Sequence, residues 1–269
     1  MAEMLTGSCE WFAEKARIKS KNEYRENVEK LREGFLRNFS PEKLKSMNGQ
    51  ELLSRIFDST PDTMMYLLMN DYDYRMGFGA SSEYPYMSII YKGKDGLWTL
   101  FEKNKHIKMT KEDALNKAEE IRDIILKCID TISESTLRTA EDYKILEKKL
   151  SQISNIYNYV TLLKYYQMVF PQYFPCMYSD FTLARCVQIL GLKYVGKSAN
   201  KRIQNMGVIS LFIRNCGIHS SVFGSVYADE WGWTGNRETC PAADENEVKS
   251  YRADEADLSL YSPAICHRD

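Results

Sequence analysis

Histidine is scarce in this chain: His106, His219 and His267 are the three present in 269 residues, and they lie far apart. None stands at a recurring ligand spacing from Cys, Asp or Glu, which argues against a zinc site. The seven cysteines, at 9, 128, 176, 186, 216, 240 and 266, form no CxxC pair. An odd set placed mostly in apolar helical patterns reads as small buried hydrophobes in a reducing compartment. No run of ~18 apolar residues exists, so no segment is expected to span a membrane. Met1–Ser8 has neither a basic start nor a long apolar stretch. No secretory signal is read there, and a cytoplasmic protein is expected. Internal repeats are also missing. Net charge is only −1, so the whole molecule carries no electrostatic bias.

The charge is distributed less evenly. Residues 151–220 hold seven Lys/Arg against one acid, a net of +6, and residues 221–269 hold four against ten, a net of −6. A basic block followed by an acidic tail suits an anion-binding face, and it equally suits two solvated faces. A chain of this length makes one large domain or two small ones and can bury a sizeable core.

Helical patterning opens the chain. Trp11, Phe12 and Ala16 mark a first helix within 3–18, and Ser20-x-x-Glu23 is a capping-box pattern for a second. Tyr24, Val28, Leu31 and Phe35 form the apolar stripe of that second helix. Ser40-Pro41 starts a third, and Leu52, Leu53, Ile56 and Phe57 belong to a fourth. From 62 onward the texture changes. Tyr72, Tyr74, Met76 and Phe78 alternate, and the runs 86–91 and 97–102 flank an Asp95-Gly96 turn. A small antiparallel sheet is expected over 64–103. Helices then return. Thr110-x-x-Asp113 caps one with Ala114, Ala118, Ile121, Ile125 and Cys128 on its inner face. A long helical pattern from Tyr143 to Phe170 is apolar on several sides and stops at Pro171 and Pro175. Ser179 caps the next helix, which ends at Gly191, and Ile209, Phe212, Ile213 and Cys216 mark the last clear one.

Gly191-Leu-Lys-Tyr-Val-Gly196-Lys197-Ser198 is a formal match to a phosphate-binding loop. Its four middle residues are bulky, the residues before it read as a capped helix, and only 71 residues follow it. The match is therefore taken as incidental, because such a nest follows a buried strand and wraps phosphates with backbone N–H groups. Nucleotide hydrolysis there, or a hydrolase built on Cys216 or His219, remains a lesser alternative. A metal-dependent nuclease reading fails on spacing: Pro61-Asp62 is present, but Glu102-Lys103-Asn104-Lys105 does not supply the second half. Neither a catalytic constellation nor a cofactor is expected.

Binding suits the sequence better. Lysine and arginine neutralise phosphates, and aromatic rings stack on bases. Lys193, Tyr194, Lys197, Lys201, Arg202 and Arg214 are the candidate nucleic-acid contacts, next to a helix start that could offer N–H groups to a phosphate. Tyr72, Tyr74, Gly77, Phe78, Gly79, Ser81 and Ser82 are the candidate pocket for a planar base. The aromatic stripe Tyr157, Tyr159, Tyr166 and Phe170 has the spacing of a helix core. The rival class is a helical adaptor whose basic face meets an acidic protein partner.

Several segments carry a resemblance. They are Phe39-x-x-Glu42-Lys43-Leu44 leading to Leu52-x-x-x-Ile56-Phe57, then Gly77-x-Gly79-Ala-Ser-Ser. Leu163-Lys164-Tyr165-Tyr166 with Phe170-Pro171-x-x-Phe174 follows, then Tyr178-Ser179-x-x-Thr182-Leu183 ahead of Leu190-Gly191. Their order over roughly 20–233 resembles the region ahead of the motor in McrB-type, modification-dependent restriction proteins. The resemblance implies recognition of modified DNA by this region and nucleotide hydrolysis by a following AAA+ domain. This chain lacks the motor pattern, so the expectation is a truncated or stand-alone targeting subunit that works with a separate AAA+ motor or nuclease subunit.

The expected fold is α+β, mainly α-helical. Residues 1–135 are expected to hold helices and the small sheet, 136–233 a helical domain with a basic face, and 234–269 a poorly ordered acidic tail. The boundary is placed at 131–142.

Overall fold

Four of the described helices begin where a short polar side chain caps the first turn. The computed structural model describes residues 9–20, 24–58, 60–69, 90–93, 95–102, 105–196 and 201–231. Its elements run α1 Cys9–Ser20, α2 Tyr24–Phe39, α3 Pro41–Ser46, α4 Gly49–Leu52 with a widened π turn at Leu53–Phe57, and α5 Met64–Met69. The strands are β1 Ile90–Lys92, β2 Trp98–Glu102 and β3 Lys105–Met109. After them come α6 Lys111–Ser133, α7 Ala140–Ile153, α8 Val160–Val169, α9 Asp180–Ile189, α10 Arg202–Asn215 and α11 Ser220–Trp231. The fold is α+β and mainly helical, with one small antiparallel sheet.

The expected caps form. The Ser40 hydroxyl accepts the Lys43 N–H at 3.4 Å, Thr110 accepts Asp113 at 3.1 Å, and Ser179 accepts Thr182 at 3.1 Å. Each satisfies an orphan donor of a first turn and contributes about 1 kcal/mol. Thr139 and Asp142 form a full capping box at the start of α7. Gly191 ends the helical turn after α9 with φ 62°, a left-handed conformation that favours glycine.

The strand order is β1-β2-β3, antiparallel throughout, with Ile90 opposite Leu100 and Leu100 opposite Ile107. Gly96, at φ 77°, makes the turn between β1 and β2 as the Asp95-Gly96 pair predicted. Two features of the sheet differ from expectation. Residues 64–69 are helical, because Thr63 supports the first turn (its hydroxyl accepts the Tyr66 N–H) and the apolar run has no period-two alternation. The third strand, Lys105–Met109, lies beyond the expected range; it is charged and mostly exposed. Tyr72, Tyr74, Gly77, Phe78, Gly79, Ser81 and Ser82 lie outside the described residues, as do Ser20-x-x-Glu23 in part and the acidic tail 234–269.

The long pattern from Tyr143 to Phe170 is two helices, not one. Ser154 is fully extended at φ −166° and ψ 157°, and its hydroxyl accepts the Ile156 N–H at 3.4 Å. A serine that bonds its own neighbourhood competes with the helix ladder. The chain resumes as α8, in which every residue from Val160 to Met168 is buried. Even Lys164 is only 1% exposed; its Nζ donates to the Leu68 carbonyl at 2.7 Å and lies over the Tyr178 ring. Tyr157 and Tyr166 are core residues, and Tyr159 and Phe170 pack against the core half-buried.

α6 is the element on which the halves meet. Its inner stripe is Ala114, Ala118, Ile121, Ile125, Cys128, Ile129 and Ile132. It packs on α3, α4 and the π turn, on all three strands, and on α7. The connection 134–139 joins α6 to α7, and one hydrophobic cluster runs through elements on both sides of it. α11 was not anticipated. It lies against α1, with Phe12 fully buried beside Phe223 and Phe212.

Candidate nucleic-acid interface

Strand alternation sorts the sheet into two faces. Ile90, Trp98, Leu100 and Met109 share one face, buried or packed against the core, and α6 lies against the sheet. The other face carries Tyr91, Thr99, Phe101, His106 and Lys108. It is closed at Thr99, which is fully buried, and opens toward His106 and Lys108, which are exposed. Three aromatic rings line up there. Phe101 and His106 are cross-strand partners with ring centroids 5.1 Å apart. Tyr91 meets His106 edge-on at 6.0 Å, and its hydroxyl lies 2.8 Å from His106 Nδ1.

The surrounding charge is one-sided. Residues 90–111 contain six lysines against two acids, a net of +4. Lys108 pairs with Asp95 at 2.6 Å and Lys92 approaches Asp58 at 3.7 Å. Lys105 and Lys111 are exposed and make no ion pair among the described residues. Lys105 and Lys108 lie on β3, an edge strand in the described sheet; Lys108 shares the ring face and Lys105 the face of Trp98. The sequence signal for this site was present in the lysine density and in the hairpin placing Tyr91 and Phe101 on alternate positions. The third strand, which brings in His106, was not legible.

The candidates in the basic block have separate fates. Lys193 is exposed in the loop after α9. Tyr194 is half-buried and packs on the core. Lys201 is half-buried at the start of α10, and Lys197 lies outside the described residues. Arg202 is held inside: Nε donates to Asp180 at 2.9 Å and Nη1 to the Asn158 carbonyl at 3.2 Å. Arg214 donates to the Leu137 carbonyl at 2.6 Å and lies over the Tyr173 ring. Together with Lys164, these make three cations of the block that join helices.

The helix start offered to a phosphate is already filled. The Glu147 carboxylate, from α7, accepts the Ile203 and Gln204 N–H groups at 3.2 and 3.3 Å and the Gln204 side-chain amide at 2.8 Å. Negative charge at a helix N-terminus is favourable, and here the protein supplies its own. Glu147 is 3% exposed, and burial pushes its pKa up to about 7, although the bonds from Gln204 and Ile203 and the nearby Lys201 pull the other way. It floors an open groove of about 870 Å³ bordered by Lys144, Lys148, Asn155 and Tyr159.

The phosphate-loop match follows helix α9, not a strand, and its backbone is tied down. Asn205 accepts the Val195 N–H at 3.0 Å and donates to the Gly196 carbonyl at 3.4 Å. Cys216 is bonded to Cys9, so it is not a free thiol nucleophile. That bond also corrects the view of the cysteines as uniformly unpaired; Cys128, Cys176 and Cys186 are free and buried. His219 stands between Glu29, 3.1 Å from Nε2, and the Ser221 hydroxyl, 2.7 Å from Nδ1. Ser221 is 3% exposed and its N–H also points at Nδ1, so the trio ties α2 to the start of α11. Among the described residues no group of three or more His, Cys, Asp or Glu could hold a metal ion, and no helix is long and apolar enough to cross a membrane.

Comparison with protein-family models, with curated proteins and with solved structures gave no match to this chain.

Proposed function

We propose that this chain is a non-catalytic nucleic-acid-binding module, the DNA-targeting part of a modification-dependent restriction or phage-defence system in the cytoplasm. A separate AAA+ motor or nuclease subunit acts on what it binds. The observation that carries the reading is the Tyr91–His106–Phe101 row on a sheet rimmed by exposed lysines. Phosphate neutralisation at Lys105, Lys108 and Lys111 supplies affinity without sequence preference. A ring at the open end of the row adds stacking of about 1–3 kcal/mol per base. Lys193, Lys197 and Lys201 give the strand a second basic point. Discrimination of a modified base is assigned to Tyr72–Ser82, the segment that leads into β1.

Fluorescence anisotropy on plain, methylated and hydroxymethylated oligonucleotides, single- and double-stranded, tests this across ~50–200 mM salt. Lys105→Glu with Lys111→Glu should weaken binding about tenfold or more and flatten the salt slope by about two units. Unchanged affinity in that variant sinks the reading. Equal competition by polyglutamate would instead favour an adaptor for an acidic protein partner docking along the β3 edge.

A further inference from the structure

Cys9 lies in the first turn of α1, and Cys216 in the turn between α10 and α11. They are 207 residues apart in sequence and joined by a disulfide with Cα atoms 4.9 Å apart. Both are only half-buried. The other described cysteines are buried, and burial pushes the Cys128 thiol up to about 11, Cys176 up to about 12 and Cys186 upward as well. Thiolate is the reactive species, so those three are inert and thiol–disulfide chemistry in the described residues is confined to the Cys9–Cys216 pair.

Apart from this bond, α1 is held against α11 mainly by apolar packing, with Phe12 and Ala16 buried and Trp11 on the core. Phe12 fills a socket between Phe212 and Phe223 at 5.6 and 5.1 Å. Lys15 pairs with Glu230 at 2.6 Å, but both side chains are a third or more exposed. Such a pair is worth little. Ile18 is 54% exposed. A helix of 12 residues does not hold its shape in water alone, so α1 depends on what fastens it. Three residues, 21–23, separate it from α2.

We propose that the Cys9–Cys216 disulfide is a redox latch: reduction releases α1 from α11 and uncovers the apolar socket of Phe12. The reductant is a dithiol. One of its thiolates attacks a sulfur of the bond and forms a mixed disulfide while the other protein sulfur leaves. The second dithiol sulfur then displaces the remaining cysteine. Cys9 and Cys216 each end with a proton, and the dithiol leaves as a disulfide, a two-electron exchange. In a reducing compartment the latch rests open and closes under oxidation, the use to which intracellular disulfides are most often put.

Non-reducing mass spectrometry of the full chain should find a peptide pair linked through Cys9 and Cys216; its absence after mild oxidation overturns the proposal. Amide exchange is then compared in the oxidised chain and after dithiothreitol. On reduction, residues 10–20 should exchange faster by on the order of tenfold or more while α8 and α9 keep their protection. An apolar dye should bind more strongly as the Phe212–Phe223 surface opens. Cys9→Ser with Cys216→Ser should match the reduced state with or without dithiothreitol. If that variant does not fold, the two states of the unaltered chain carry the test. Equal protection of α1 in both states, or a loss spread evenly through the core, overturns the latch.

Discussion

Gly207 of α10 lies against the ring of Tyr143 of α7: a Cβ added at Gly207 would sit 2.2 Å from Tyr143 Cγ and 2.5 Å from Cδ1. The ring cannot swing away. Tyr143 is fully buried, and its hydroxyl donates to the Tyr173 carbonyl at 3.1 Å. The missing Cβ at Gly207 lets the Tyr143 ring lie directly against the backbone of α10.

Gly207→Ala should therefore destabilise the protein. Alanine improves helix propensity by about 1 kcal/mol, but overpacking a rigid core costs about 1–3 kcal/mol and the overlap here is severe. A net loss of about 2 kcal/mol, read as a drop in Tm of several degrees, is expected. In a Tyr143→Ala background the change at Gly207 should cost less, because alanine has no atom beyond Cβ to meet the new methyl group. Additive losses in the double variant would refute the steric account.

Glu147 should make stability depend on pH. Its folded pKa is raised to about 7 from an ordinary 4.5, chiefly by burial. The folded state then holds the proton more tightly than the unfolded chain. The contribution is complete below about pH 4.5 and is lost as pH rises through about 7. The ceiling on the effect is about 3 kcal/mol. Urea unfolding at pH 5, 6, 7 and 8 should show a decline that Glu147→Gln lacks, since glutamine stays neutral throughout. Parallel curves for the two proteins would mean that Glu147 does not titrate in this range.

Features set by neighbours in sequence were legible, and those set across the fold were not. The Ser40, Thr110 and Ser179 caps and the Asp95-Gly96 turn depend on a few adjacent residues, and all four form. The all-round apolar pattern of α8 announced its burial. Met64–Met69 was misread because a short apolar run fits either a strand or a helix. Nothing local reveals that Arg202 reaches Asp180, that Arg214 reaches Leu137 or that Cys9 meets Cys216. A basic block counted from sequence therefore overstates the charge left for a ligand. Lys105 and Lys111, exposed and in no ion pair among the described residues, keep more of theirs.

The phosphate-loop match should not support turnover. A helix precedes it, and Asn205 occupies both a donor and an acceptor of its backbone. The Gly191, Leu192 and Val195 N–H groups already donate within the protein and are not available to wrap a phosphate chain. Purified protein should hydrolyse neither ATP nor GTP above background, and neither nucleotide should raise Tm. A nucleotide-dependent rise in Tm that vanishes in Lys197→Ala would reinstate an NTPase.

Arg202 separates structure from binding within the basic block. Its guanidinium is 15% exposed and bridges Asp180, which starts α9, to the Asn158 carbonyl. Truncation leaves a partly buried carboxylate and a carbonyl without their donor, at about 1–3 kcal/mol. Arg202→Ala should therefore lower stability while leaving oligonucleotide affinity and its salt slope unchanged. Arg202→Lys should recover only part of the stability, because an ammonium cannot present the planar fork. Asp180→Asn should lower stability as well, though it removes no cation. Lys193→Ala should do the reverse, leaving stability intact, since Lys193 is exposed. If Arg202→Ala instead weakens binding as much as Lys105→Glu with Lys111→Glu, and does so at full stability, the guanidinium is a ligand contact. The binding face would then lie at the start of α10 and not on the sheet.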